Sequence, residues 1–343
     1  MTTLLERAQA PAGGSAVHAP GAPGEPPRRR GRRWAAALAT PVVVFLFSSL
    51  ITFGLGALSP SNPAAAVLGD TATPADIVRM NHEFGLDRPF LVRYADWLGH
   101  AVTGDLGRSY FTTIPVSDSI FAALPVDLAL AGLAVLLAVL LGGGAGIAAA
   151  LRPGRRLDRV VTLVASALGT LPPFVLGIGL VVVFSVLLKV LPAGGYVGPE
   201  HGLGPWLRFA ILPALALSLD IAASIARQLR TSLVTQLGEA YVTGAVVRGL
   251  GAHRVLFRHA LRNAAGPALT VLGLGVPMVL GGAVVTEKIF NLPGLAQLAL
   301  QASAQHDVPV IQGTLLVTVT VVLVCNTVVN LALLRLTPQG RRP

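Results

Sequence analysis

Side chains able to make or break bonds are few here, and none of them form a catalytic constellation. His18, His82, His100, His201, His253, His259 and His306 all fall outside the long apolar runs. That placement excludes a Ser/His pair or a His-held metal within those runs, and no cluster has metal-ligand spacing. Asp127 and Asp220 lie in or at the ends of apolar runs, and two buried carboxylates are the parts of an aspartyl-type acid/base pair. Their flanks, Val126-Asp127-Leu128 and Leu219-Asp220-Ile221, lack the glycine-rich surroundings such a pair uses. A phosphate-binding P-loop needs a lysine after a glycine-rich turn, yet Lys189 follows Leu188 and Lys288 follows Glu287. The sequence therefore predicts no catalytic residue, no metal, no cofactor of its own and no capacity to hydrolyse ATP. Cys325 is the sole cysteine and reads as packing.

The elements that must position these residues are set by a lipid-like composition. Of 343 residues, 53% are hydrophobic and 12% charged, with a mean hydropathy of +0.69, far from the averages of soluble domains. A helix crosses a bilayer in about 20 residues. Runs of that kind occur at Trp34–Leu58, Pro125–Leu151, Val160–Leu191, Leu207–Ile225, Ala264–Thr286 and Val308–Leu336. They predict an all-α polytopic membrane protein with six transmembrane helices.

The net charge of +10 raises the question of nucleic acid, and its distribution answers it. With the N-terminus in the cytoplasm, 19 of the 26 basic residues fall on the inner side, at Arg7 and in clusters at Arg28–Arg33, Arg152–Arg159, Arg227–Arg262 and Arg335–Arg342. That is the positive-inside bias; it orients a membrane protein with both termini inside and excludes nucleic acid as the explanation. Residues 1–33, rich in Pro, Ala, Gly and Arg, read as a disordered basic cytoplasmic tail, with attraction to anionic lipid as a sharper alternative. The apolar run after it exceeds the 7–15 residues of a signal-peptide core, so it is taken as an uncleaved first span. Residues 34–343 form the transmembrane domain, with a small extracytoplasmic cap at 58–119. Pro172-Pro173 should kink the third span. Glycines at Gly142–Gly144 with Gly146, at Gly177 with Gly179, and at Gly273, Gly275, Gly281 and Gly282 read as helix-packing surfaces.

Between the fourth and fifth runs, residues 226–263 keep a basic, helix-patterned segment, GEAYVTGAVVRGLGAHRVLFRHALRN, with a break near Gly249-Leu250-Gly251. A helix, a glycine break and a short amphipathic helix are shaped to dock in another protein's groove, with apolar residues to bury and arginines for the rim. An ordinary basic surface loop is the plainer alternative.

This segment resembles the cytoplasmic loop of permease subunits in ABC importers of the dipeptide/oligopeptide/nickel branch, through Tyr241, Val242, Thr243, Gly249, Leu250, Val255 and His259-Ala260-Leu261-Arg262-Asn263. Further matches follow in family order: Gly85-Leu86-Asp87-Arg88-Pro89, Gly104-Asp105-Leu106-Gly107, Phe174-Val175-Leu176-Gly177, Arg230-Thr231-Ser232, Glu287 with Phe290, and Pro293-Gly294-Leu295. Asp127-Leu128-Ala129 departs from the family's Thr-Leu-Glu, and Asp220 stands where an apolar residue is usual. The resemblance implies a type I importer fold in the bacterial cytoplasmic membrane and a heteromeric complex. Its other members would be a homologous second permease, two ABC ATPase subunits or domains that bind ATP and Mg, and an extracytoplasmic substrate-binding lipoprotein that delivers a peptide or related small ligand. It also implies a coupling helix on the ATPase made by Gly249, Leu250, Gly251, Arg254, Val255, Leu256, Arg258 and His259. Asp127 and Asp220 become candidates for the translocation path. The alternative from composition alone is a transporter or channel that works without an ATPase.

Overall fold

The computed structural model describes residues 28–58, 62–69 and 71–336, and in them the chain is helical with no strand. Most of the expected tail, 1–33, lies outside the described residues. Contacts divide the described residues at Val42, and the packing below belongs to the unit that begins at Val43.

Its centre is a pair of 35-residue helices, α5 (Val116–Ala150) and α8 (Leu203–Leu237). Gly142 and Gly146, four residues apart on one face of α5, meet Ala222 and Ala226 at the same spacing on α8. A Cβ on Gly142 would sit 2.5 Å from the Ala222 carbonyl oxygen, and one on Gly146 would sit 2.9 Å from that of Ala226. Small residues spaced by four let two backbones touch, the usual device where lipid removes the hydrophobic drive between helices. Leu212, Ile221, Ile225, Leu229 and Leu233 fill the space around this crossing. Gly275 packs on Ile221 and Gly177 on Phe290, as expected of packing glycines, whereas Gly143, Gly144, Gly179 and Gly281 meet nothing within 4 Å.

The other expected spans are less regular. Among the described residues three helices are long and apolar enough to cross a membrane: α5, α8 and Val308–Val329 within α14 (Val308–Leu336). Two bent pairs raise the number to five if each counts as one span, and the shorter apolar stretch Val42–Gly56 of α1 (Arg28–Leu58) lies where the first is expected. Three to five spans are thus found among the described residues where six are expected. Pro172 and Pro173 do more than kink the third: α6 (Arg156–Leu168) and α7 (Pro173–Leu180, continued as a π-helix to Leu187) meet at 109°. Two adjacent residues without N–H donors leave the preceding turn nothing to bond to. Single prolines at Pro125 and Pro213 sit inside α5 and α8 without ending them. The fifth span breaks at Gly281-Gly282 into α11 (Leu261–Gly281) and α12 (Ala283–Phe290).

The expected cap forms three short helices, α2 (Pro63–Leu68), α3 (Pro74–Glu83) and α4 (Phe90–Val102). Thr73 and Asp76 close a reciprocal capping box at the start of α3. The cap is tied to the bundle by polar groups, Ser49 with the Tyr94 hydroxyl at 2.7 Å and Ser109 Oγ donating to Asp307, while Gln312 Nε2 on α14 donates to the Ser49 carbonyl of α1 at 2.9 Å. Burial pushes the Tyr110 hydroxyl above its ordinary pKa. Phe53 meets both Phe90 and Tyr94 edge-on at 5.6 Å.

Candidate functional site

Two places bring the expected functional residues together: an elbow after α8, and a carboxylate pair at the other end of α5. The elbow begins with α9 (Ala240–Val247), whose Val242 and Ala245 are buried while Tyr241 donates to Gln236 Oε1 at 2.7 Å. Helical periodicity then turns the following residues outward: Val246 is 58% exposed and Val247 82%. Gly249 takes a φ of +78°, a left-handed turn open to glycine and strained for other residues. The Leu250 N–H returns to the Ala245 carbonyl at 3.2 Å, closing the end of α9. Gly251 is ordinary extended backbone.

The residues after the break do not form a separate short helix. α10 (Ala252–Arg254) runs through a π-turn, Val255–Ala260, straight into α11. Val255 is only 4% exposed and Leu256 half-buried, both packed on the chain's own core. Val255 therefore has little apolar area left to give a partner, while Leu256 keeps part of its own. The outward residues are Val246, Val247, Arg248, Ala252, His253, Arg254, Phe257 and Arg258, with His259 half-buried. Outward apolar residues lie on both sides of the glycine break, with Val246 and Val247 before it and Phe257, 47% exposed, after it.

The elbow is braced from below. Arg230 on α8 grips Asp158 on α6 with two bonds, of 2.9 and 2.6 Å, and Asp158 also accepts from the Gly154 N–H at 2.8 Å. Arg227 donates to the Ala165 carbonyl and to Ser224 Oγ. These charge-assisted, bidentate contacts fix the α5–α6 turn to the end of α8 from which α9 departs.

At the second place, Asp127 on α5 and Glu287 on α12 converge on the start of α13 (Leu295–Gln305). The Leu295 N–H donates to Asp127 Oδ2 at 3.0 Å and the Gln297 N–H to Glu287 Oε2 at 2.8 Å. A cavity of about 260 Å³ lies alongside, lined by both carboxylates with Thr52, Leu124, Val284 and Leu295. Asp220 is half-buried on α8 and lines neither this cavity nor the smaller one beside Asp127, so the two aspartates are not brought together. Glu287, which the sequence marks only as a family match, is Asp127's partner. A buried acid in an apolar run was the signal, masked by the neighbouring Lys288. Among the described residues, no group of His, Cys, Asp and Glu could hold a metal ion.

Residues 142–342 match the family described as binding-protein-dependent transport system inner membrane component, and residues 32–131 match its N-terminal companion. The "Probable peptide ABC transporter permease protein y4tP" of Sinorhizobium fredii is 34% identical, over 89% of this chain and 97% of that protein. The "Metal-staphylopine import system permease protein CntB" of Staphylococcus aureus is also 34% identical, over 89% and 96%. The "Oligopeptide transport system permease protein AppB" of Bacillus subtilis is 32% identical, over 84% and 93%. Among solved structures, an inward-facing MetNI methionine ABC transporter chain has the same fold, with a TM-score of 0.52 at 15% identity over 64% of this chain and 96% of that one.

Proposed function

This chain belongs to the family of binding-protein-dependent transport system inner membrane components and is a multi-pass permease subunit of an ABC importer, and from that premise we propose that it carries peptides or a chemically related small ligand. Relatives named for peptides and for a metal–staphylopine complex support a cargo of that class. The proposed assembly pairs it with a homologous permease in the bacterial cytoplasmic membrane, termini inside. Two ABC ATPase subunits or domains bind ATP and Mg and perform the hydrolysis, and an extracytoplasmic lipoprotein delivers the ligand. This chain then binds no cofactor and catalyses nothing. The translocation path would pass Asp127, with Asp220 a second candidate along it.

The observation that carries the reading is the apolar step of Val246 and Val247 at a basic end of the bundle, held by Gly249 and braced through Arg230 and Asp158. We propose that this step, with Gly249, Leu250, Gly251, Arg254 and Arg258 around it, seats in a groove of the ATPase. Rigid seating lets ATP-driven closure move the helices as bodies. Co-purification tests the assembly: tagged chain, expressed with the permease and ATPases encoded beside it, should retain both through detergent extraction. Recovery of the chain alone, under conditions in which the others are made, would count against it. Orientation is tested separately on a Cys325→Ser background, where an impermeant thiol reagent should label Thr112→Cys from outside and leave Ala252→Cys untouched.

A further inference from the structure

The carboxylate pair at the start of α13 has a use that does not depend on which ligand is carried. Asp127 and Glu287 come from different helices, and each gives one oxygen to a backbone N–H of α13. The two carboxyl groups face one another across Gly294, where an added Cβ would meet Asp127 Oδ1 and Glu287 Oε2 alike. The two remaining oxygens, Asp127 Oδ1 and Glu287 Oε1, are buried with no partner, and Glu287 is 1% exposed. Ionised carboxylates only accept hydrogen bonds, so two of them in contact would leave both oxygens orphaned and repelling at low dielectric. Gly294 makes the approach possible, because a Cβ there would run into both groups.

Among the described residues that line the two cavities beside the pair, no cation relieves the repulsion. Around the pair, α1 offers Thr52, α14 offers Thr314 and Thr318, α13 offers Ala296 and Ala299, α8 offers Leu217, and α11 offers Val279. None of these carries charge. Lys288 is adjacent on α12 but exposed, and it lines neither cavity.

We propose that Asp127 and Glu287 hold a single proton between them, as an O–H···O⁻ bond that latches the α12–α13 hairpin onto α5. One proton satisfies both orphaned oxygens. The one remaining negative charge faces the first N–H groups of α13, where the helix dipole favours it. Removing the proton restores two charges in contact and drives the hairpin away from α5 at the edge of the 260 Å³ cavity. The pair is thus a proton-binding positioning site.

The test uses the full chain in lipid nanodiscs and reads infrared absorption of protonated carboxyl groups. The wild type should show such a band at neutral pH; it should persist in Asp220→Asn and vanish in Asp127→Asn and Glu287→Gln, whose amides donate to the remaining carboxylate. The linkage sign is fixed by the proton being bound in the folded state: the latch contributes fully at low pH and is lost as pH rises through the pair's proton release. The melting temperature of the wild type should therefore fall across the interval in which the band disappears, and that of Asp127→Asn should stay level there. Absence of the band from wild type at neutral pH overturns the proposal even if neither variant folds. A band surviving in both single variants, or parallel melting profiles in wild type and Asp127→Asn, overturns it as well.

Discussion

Replacing Val247 by Asp separates a docking surface from a structural one. Val247 is 82% exposed and Val246 58%, so both have apolar area available to a partner. Fully burying a side chain of this class is worth about 1.5–3 kcal/mol. Covering the exposed part of Val247 would then contribute roughly 1.2–2.4 kcal/mol to ATPase binding, scaling that figure by exposure. At 1.4 kcal/mol per factor of ten, its loss weakens binding roughly 7- to 50-fold. An unpaired carboxylate forced into the groove adds a desolvation cost. The melting temperature of the chain itself should not move, since the side chain touches little of its own protein. Val255, at 4% exposure, should behave in the opposite way: Val255→Asp buries a charge in the core and should cost more than about 4 kcal/mol of stability. The assay is titration of the ATPase onto the nanodisc-embedded permease pair, with melting of each variant measured alongside. Wild-type affinity in Val247→Asp would refute the assignment of the docking face to α9, and a well-folded Val255→Asp with weakened binding would return it to the segment after the glycine break.

Gly146→Val should separate α5 from α8, because the added carbons meet the Ala226 carbonyl at 2.9 Å or less; folded yield by size exclusion should collapse, while Gly144→Val, facing open space, should fall within about 0.5 kcal/mol of wild type. Arg230→Ala leaves the Asp158 carboxylate, 5% exposed, without its bidentate partner, and thermal unfolding should report a loss of about 1–3 kcal/mol. Gly249→Val must hold a β-branched residue at a φ of +78°, a strain of about 1–2 kcal/mol or more; ATPase stimulation by the loaded binding protein should fall more than ATPase binding does.

What composition and charge could disclose was the helical class, the approximate span positions and the basic end, since each depends only on residue type along the chain. The glycine break at Gly249 was legible for the same reason, glycine being the residue that takes a left-handed turn cheaply. The face proposed for docking was not, because Val255 and Leu256 show the same apolar spacing as Val246 and Val247. Only the unbroken run of α10 into α11 buries Val255 and half-buries Leu256. Likewise, Pro172-Pro173 announced a bend, but its 109° depends on α7 packing against α8 and Phe290. The carboxylate pair joins positions 160 residues apart, and nothing local to Asp127 points to Glu287. Asp220 attracted attention for being acidic in an apolar run, a property that says nothing about which neighbour it faces.

ATP-driven uptake in proteoliposomes tests the central claim most directly. Vesicles holding this chain, its fellow permease and the ATPases, supplied with ligand-loaded binding protein outside and ATP inside, should accumulate a labelled peptide. Uptake should cease when this chain, the ATPase or ATP is left out, and should fall sharply with Val247→Asp. Accumulation that proceeds without the ATPase or without ATP would contradict the account.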